Sequence, residues 1–221
     1  MRKPVGVLFA LCPLMRMAMK VIGATALFAA VHSLLASRRV KARFETEFPR
    51  RQELYRVLYN AQSLVTFGAL TAYIAAQPKR TLYELHGVPA AALRIGQWSG
   101  VLFAVAAARA TGVTMLAGLE TKPPSVPAAQ GPELHHDGAL RVEGPFTIVR
   151  HPLNLAPLAP FWLTPHMTTR RLAFNCIATL YLVAGSLHEE QRLLAQYGDA
   201  YRQYQESGVP FYIPRFFKSA S

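Results

Sequence analysis

The sequence predicts an all-α polytopic membrane protein of about five spans. Three observations carry that prediction. Of 221 residues, 52% are hydrophobic and only 16% charged, against roughly 25% charged in an ordinary soluble domain. The apolar residues gather in blocks almost free of Asp, Glu, Lys and Arg. The basic residues, 24 Lys and Arg against 12 Asp and Glu for a net charge of +12, collect between the blocks. Disorder is excluded, because it needs low hydrophobicity together with high net charge.

The blocks are justified in chain order. A bilayer core about 30 Å thick needs about 20 mostly apolar helical residues. Val21–Ala36 reaches that length once Met17–Met19 are added, with Lys20 interrupting. Val57–Ala76 reaches it alone. Ile95–Ala108 is rich in Gly and Ala and continues past Arg109 toward Leu119. Pro152–Pro165 is short and holds Pro152, Pro157, Pro160 and Pro165, which predicts a kinked or partial span. Leu172–Leu187 completes the set. A soluble all-α protein with buried helices rarely has several charge-free blocks near spanning length. Residues 1–16, with Arg2 and Lys3 before Pro4–Met15, read as an N-terminal leader without a clean cleavage site. Residues 17–120 are then the N-terminal transmembrane helices, and 121–221 the region carrying the chemistry.

Charge placement sets orientation. The loop after the first block carries Arg38, Arg39, Lys41, Arg43, Arg50, Arg51 and Arg56, while the next has only Lys79, Arg80 and Arg94. By the positive-inside rule the first loop, the Lys122–Arg150 segment and the C-terminus face the cytoplasm. An Ala- and Arg-rich multi-pass chain suits a bacterial inner membrane. The excess charge is then topological, with added attraction to anionic lipid, and no motif supports nucleic-acid binding. Cys12 and Cys176 make neither a disulfide framework nor a CxxC metal site.

The chemistry concentrates near the C-terminus. A short link through His166–Arg171 makes the last two apolar segments an antiparallel hairpin. Its outer ends, Arg150-His151-Pro152 and His188-Glu189-Glu190, meet on one side of the membrane. Taken singly, each residue has an ordinary structural role: Arg150 snorkelling to the interface, Pro152 opening a helix, the glutamates starting a solvated extension. Together they place a cation, an imidazole and two carboxylates at one membrane helix end, where such groups usually face a partner or a polar cavity. An amphipathic tail follows, with Leu193, Leu194, Tyr197, Tyr201 and Tyr204 at helical spacings and Gly198 interrupting. Its tyrosines read either as interfacial aromatic anchors or as a cover over a polar ligand.

The stretches GPFTIVRHPLN, FWLTPHMT and HEEQRLLAQYGDAYRQYQ resemble the isoprenylcysteine carboxyl methyltransferase-like family of integral membrane methyltransferases. FWLTPHMT resembles the bacterial branch that includes methanethiol S-methyltransferases. VHSLLAS at Val31–Ser37 is similar to the related NnrU-like proteins. The resemblance implies a pocket for S-adenosylmethionine facing the cytoplasm. Arg150 and His151 match its RHP motif, Glu189 and Glu190 its paired glutamates, and Tyr201 and Tyr204 its tail. Gly144 and Pro145 match the loop over the cofactor. Asn154 stands where the family usually has Tyr, so a contact made there by an aromatic hydroxyl is missing. Glutamates suit the cationic part of that molecule and arginine its carboxylate. Methyl transfer needs mainly positioning and exclusion of water. The expectation is an S-adenosylmethionine-dependent methyltransferase acting on a small or lipophilic thiol or carboxylate, with Arg150 and Glu190 closest to the chemistry. His151 is expected to hold cofactor or move a proton.

The remaining candidates lie elsewhere. His32 falls within the first span, where it is either a hydrogen-bonded neutral histidine or, in the alternative reading, an axial haem ligand of an NnrU-like protein or isomerase without methyl transfer. His135 and His136 are adjacent in a Pro/Gly-rich loop with no third ligand at metal-site spacing, so no metal is expected. No GxGxxG, P-loop or GxSxG motif occurs.

Overall fold

The computed structural model describes residues 5–51, 54–117, 119, 132 and 140–213, the side chains of 5–12, 50 and 115 excepted. These residues are mostly helical: α1 (Val5–Ala36), α2 (Arg38–Glu47), α3 (Leu54–Ala76), α4 (Gly87–Thr111), α5 (Val113–Ala117), α6 (Pro152–Leu155), α7 (Leu158–Trp162), α8 (Thr169–Tyr197) and α9 (Asp199–Glu206). Two short strands, β1 (Thr81–Glu84) and β2 (His166–Thr168), depart from the all-α expectation. Contacts divide the chain into two compact units, Met1–Leu93 with Thr164–Tyr181, and Arg94–Leu163 with Leu182–Ser221. His135 and His136 lie outside the described residues.

In the first unit, Met17 and Val21 of α1 bury against Leu70 and Ile74 of α3, with Phe28, Ala173 and Phe174 packed around them. Helix α1 runs unbroken from Val5 through Pro13, so the expected leader shares its helix with the apolar block that follows. Ser37 then stops one helix and caps the next, its hydroxyl accepting the Val40 N–H at 3.4 Å. The link predicted through His166–Arg171 is the strand β2, paired antiparallel with β1 from Thr81 opposite Thr168 to Glu84 opposite His166. Arg170 donates to the Gln77 carbonyl at 2.9 Å and to that of Ala75, satisfying acceptors at the end of α3. His32 is held on both ring nitrogens. Nε2 meets the Tyr59 hydroxyl at 2.6 Å and Nδ1 the Ser63 hydroxyl at 3.1 Å.

In the second unit, α4 closes on the α6–α7 turn at two glycines. The apolar segment predicted to be a kinked span is two short helices of 4 and 5 residues, each begun near a proline. A Cβ on Gly96 would lie 2.7 Å from Leu163 Cδ1, and one on Gly100 would overlap the Ala159 methyl and stand 3.1 Å from the Ala156 carbonyl. Gln97 donates to the Pro160 carbonyl at 3.1 Å beside them. Gly100→Ala is therefore expected to destabilise by about 1–3 kcal/mol through overpacking. Gly68→Ala in α3, with nothing within 4 Å of its added methyl, is expected to stabilise by about 0.5–1 kcal/mol through helix propensity. Thermal unfolding of the two purified variants should move in opposite directions.

Two described helices are long and apolar enough to cross a membrane: Pro13–Ala36 and Gly87–Thr111. Only 11% and 17% of their most apolar windows are buried, whereas the core helix of a soluble protein is mostly buried. Leu27, Trp98 and Leu102 stand two-thirds exposed. Helix α3 has the length, at 23 residues, but Asn60, Gln62, Ser63 and Thr66 dilute its apolar run, and it is not one of those two.

Candidate functional site

Proline and glycine aim the functional side chains. Pro152 opens α6, and the preceding His151 lies outside the helical region at φ −123° and ψ 64°. Gly198 takes φ +53°, ψ −123° between α8 and α9, a conformation that a residue with a Cβ rarely adopts. That break lets α9 turn back, so that Tyr201 and Gln205 face the α8 carboxylates.

Glu190 is the hub. Its Oε1 accepts from Arg150 Nε at 2.7 Å, His151 Nε2 at 3.0 Å and Tyr201 Oη at 3.0 Å. Its Oε2 accepts from Gln205 Nε2 and, more loosely at 3.5 Å, from Arg150 Nη2. Arg150 and Glu190 side chains are each only 15% exposed, so their charge-assisted bonds are weakly screened. Burial works against the ionised Glu190, but the His151, Arg150 and Gln205 donors outweigh it and hold its pKa at about 2. Glu190 is thus an anchored anion and a very weak base.

His151 is buried between the two carboxylates, with Nδ1 3.4 Å from Glu189 Oε2. Burial disfavours its imidazolium, yet the bonds to Glu189 and Glu190 raise its pKa above the usual 6.5. Asn154 Nδ2 donates to Ser186 Oγ at 2.8 Å and reaches Glu189 Oε2 at 3.5 Å. The sequence-predicted Arg150, His151, Asn154, Glu189, Glu190 and Tyr201 therefore meet in one cluster. His188, read with them, is exposed on α8.

The tail tyrosines are buried, which removes the interfacial-anchor reading for Tyr201 and Tyr204. Both pack with Leu193, Leu194, Val142 and Val209, their rings edge to face at 5.8 Å. Burial pushes both phenols well above their ordinary pKa, so both stay protonated donors. Tyr204 donates to the Phe146 carbonyl at 2.5 Å. That bond pins the 3-10 turn Gly144–Thr147, which Gly144 opens at φ +54° and in which Pro145 and Phe146 are buried. Gly144 and Pro145 thus border the tail through the Phe146–Tyr204 hydrogen bond.

Four partners escaped the sequence reading. Gln205 lies one helical turn beyond Tyr201 and Ser186 one turn before Glu190, so helical periodicity could have found both. Phe211 and Tyr212 carried no such signal. The segment after α9 lies across the cluster: Val209 O accepts Arg150 Nη1 at 2.7 Å, and Pro210 O accepts the Arg150 backbone N–H at 3.0 Å. The Phe211 ring meets His151 edge-on at 4.9 Å and lies 5.8 Å from the Arg150 guanidinium carbon. Tyr212 donates to the Leu182 carbonyl at 3.0 Å and contacts Ser186 Oγ at 2.8 Å.

The two shifted groups bracket a pH window for stability. Glu190, lowered from 4.5, contributes fully above about pH 4.5 and loses that contribution as pH falls toward about 2. His151, raised from 6.5, contributes fully below about pH 6.5 and loses it as pH rises through its folded pKa. The melting temperature is expected to be highest between these limits and to fall on the alkaline side. His151→Gln should abolish the alkaline fall, and a wild-type profile in that variant would assign the fall to another group. Among the described residues no three His, Cys, Asp or Glu side chains group as a metal site would require.

Comparison with known proteins finds partial similarity to named enzymes. A methanethiol S-methyltransferase of Pseudomonas deceptionensis is 39% identical over 71 residues, 32% of this chain and 27% of that protein. Methanethiol S-methyltransferase 2 of Bradyrhizobium diazoefficiens is 42% identical over 72 residues, 33% and 27% respectively. The Mycobacterium tuberculosis enzyme of that name is 46% identical over 57 residues, 26% and 23%. All three relatives carry the name methanethiol S-methyltransferase. Each match spans about a quarter of the relative's length. No protein-family model and no solved structure matches the chain.

Proposed function

We propose that the chain is an integral membrane methyltransferase that uses S-adenosylmethionine to methylate a small or lipophilic thiol or carboxylate, with methanethiol the first acceptor to test. The observation that carries this reading is the convergence of Arg150, His151, Glu189 and Glu190 in one largely buried cluster. The names of the relatives supply the acceptor. The exposed apolar surface of α1 and α4 supports a lipid setting. The five-span topology, the bacterial inner membrane and the cytoplasmic face of the cluster belong to this proposal.

The donor set fits the methyl donor. Glu190 is saturated by its own neighbours, whereas the contacts of Glu189 to His151 and Asn154 are longer, at 3.4 and 3.5 Å. Stripping Glu190 would release Arg150, His151, Tyr201 and Gln205 together. Glu189 would therefore hold the ammonium, and Glu190 would hold Arg150 and His151 in place. Arg150 has guanidinium N–H groups beyond those spent on Glu190 and Val209 for a ligand carboxylate. When bound, S-adenosylmethionine supplies an electrophilic methyl group on a sulfonium. The chain's residues orient the donor and acceptor for in-line transfer and exclude water, with Phe211 and the tail tyrosines forming the apolar cover. Glu190 at pKa about 2 and protonated Tyr201 and Tyr204 leave none of these three as a strong base. A thiol acceptor, whose thiolate is the nucleophile, would then ionise without help from these three.

The test is calorimetric titration with S-adenosylhomocysteine, followed by a labelled-methyl screen of thiols and prenylated cysteines. Binding with turnover supports the reading, and a purified protein that does neither ends it. The pH profile of kcat/KM separates the acceptor classes: it keeps rising through the alkaline range for a thiol, whose thiolate is the nucleophile, and shows no such rise for a carboxylate, already ionised above about pH 5. The haem-linked alternative is disfavoured by His32, whose two ring nitrogens are both hydrogen-bonded to hydroxyls and leave no lone pair for iron. A Soret band in the absorption spectrum would restore it.

A further inference from the structure

The segment Val209–Tyr212 brings a phenol into the cluster from outside the helical hairpin. A tyrosine hydroxyl has one proton, and Tyr212 spends it on the Leu182 carbonyl at 3.0 Å. Ser186 must therefore be the donor in its 2.8 Å bond to Tyr212. Its own oxygen then accepts the Asn154 amide at 2.8 Å. The result is a directed chain, Asn154 to Ser186 to Tyr212 to the α8 backbone, with every proton assigned. Ser186 is fully buried, so a lost partner leaves its hydroxyl unsatisfied. The amide nitrogen of Asn154 that starts the chain is also the one that reaches Glu189 Oε2 at 3.5 Å. Asn154 stands where the resembled motif carries tyrosine, and here the phenol arrives from position 212 instead.

We propose that Tyr212 is a positioning residue for methyl transfer: acting through Ser186, its hydroxyl fixes the Asn154 amide against Glu189, the carboxylate assigned to the donor's ammonium. This rests on the methyltransferase reading above. Tyr212 does not touch the reacting atoms. Its effect falls on how tightly the donor is held, not on the transfer itself.

The test uses the full chain in lipid nanodiscs, with Tyr212→Phe, Ser186→Ala and the double variant. Phenylalanine at 212 retains the ring that stacks on Phe211 at 4.7 Å and the backbone bonds of Val209 and Pro210 to Arg150. Tyr212→Phe is expected to raise the KM for S-adenosylmethionine about 3- to 10-fold, the range for one hydrogen bond, with kcat changed less than about 2-fold. The melting temperature should move by no more than about 4 °C. Ser186→Ala should do the same, and the double variant should be no worse than either single, because both break one chain. If Tyr212→Phe does not fold, Ser186→Ala carries the expectation alone. A wild-type KM in the variants, a melting loss without a KM change, or additive KM effects would each overturn the role of Tyr212. A wild-type protein that neither binds S-adenosylhomocysteine nor transfers methyl groups fails at the earlier step, and the methyltransferase reading falls with it.

Discussion

Glu190→Ala is expected to lower the melting temperature by roughly 6–12 °C and to abolish S-adenosylhomocysteine binding. Five donor contacts converge on this carboxylate, from Arg150 twice and from His151, Tyr201 and Gln205. Removing it leaves the Arg150 guanidinium buried without its counter-ion and the His151 ring with Glu189 alone. Breaking one partner of a buried pair costs about 3–5 kcal/mol, and for a domain of this size each kcal/mol moves the midpoint by about 2–4 °C. The loss falls at the lower end of that range because the pair keeps some solvent contact. Glu190→Gln separates charge from shape. It retains an acceptor for Tyr201 but not the anion, and should recover about half of the melting loss while leaving donor binding impaired. If Glu190→Ala unfolds at the wild-type temperature, the hub is not holding the site together.

Arg150 should show the largest catalytic effect. It ties α8, through Nε and Nη2 to the Glu190 carboxylate, to the segment after α9, through Nη1 to the Val209 carbonyl and through its face to the Phe211 ring. Lysine carries the charge but has a single ammonium that cannot span Glu190 and the Val209 carbonyl as a planar fork does. Arg150→Lys is therefore expected to lower kcat/KM about 10- to 100-fold, and Arg150→Ala at least about 1,000-fold, since a mispositioned reactant forfeits much of the advantage of proximity. Steady-state kinetics with the acceptor found in the screen measure this. Equal activity in Arg150→Lys and the wild type would reduce the residue to a point charge.

Much of the site was legible because helical spacing is local. Glu189 and Glu190 follow an apolar run, and Arg150 and His151 precede a proline that must begin a new turn. Those facts predict that the two ends can meet. The spacing of Tyr201 and Tyr204 predicts one helix face, and both are buried on it with Leu193. The spans were less legible. Hydrophobic blocks report transfer energy averaged over a window, so Pro152–Pro165 reads as a kinked span, while Pro152 and Pro157 begin separate helices of 4 and 5 residues. The His166–Thr168 strand was invisible for a related reason. Three residues pair with β1, more than eighty positions earlier, and no local pattern encodes a partner that distant.

The sequence alone determined that helices dominate, which segments are apolar, and which residue types gather near the C-terminus. Each follows from chemistry within a few residues. Only the tertiary structure decided how that chemistry is wired: that Glu190 accepts every donor around it and is pinned as an anion, that His151 is clamped between two acids, and that a loop beyond the last helix brings Phe211 and Tyr212 onto them. Those outcomes depend on distances between residues far apart in the chain, where hydrogen-bond geometry and burial, rather than propensity, set the energy.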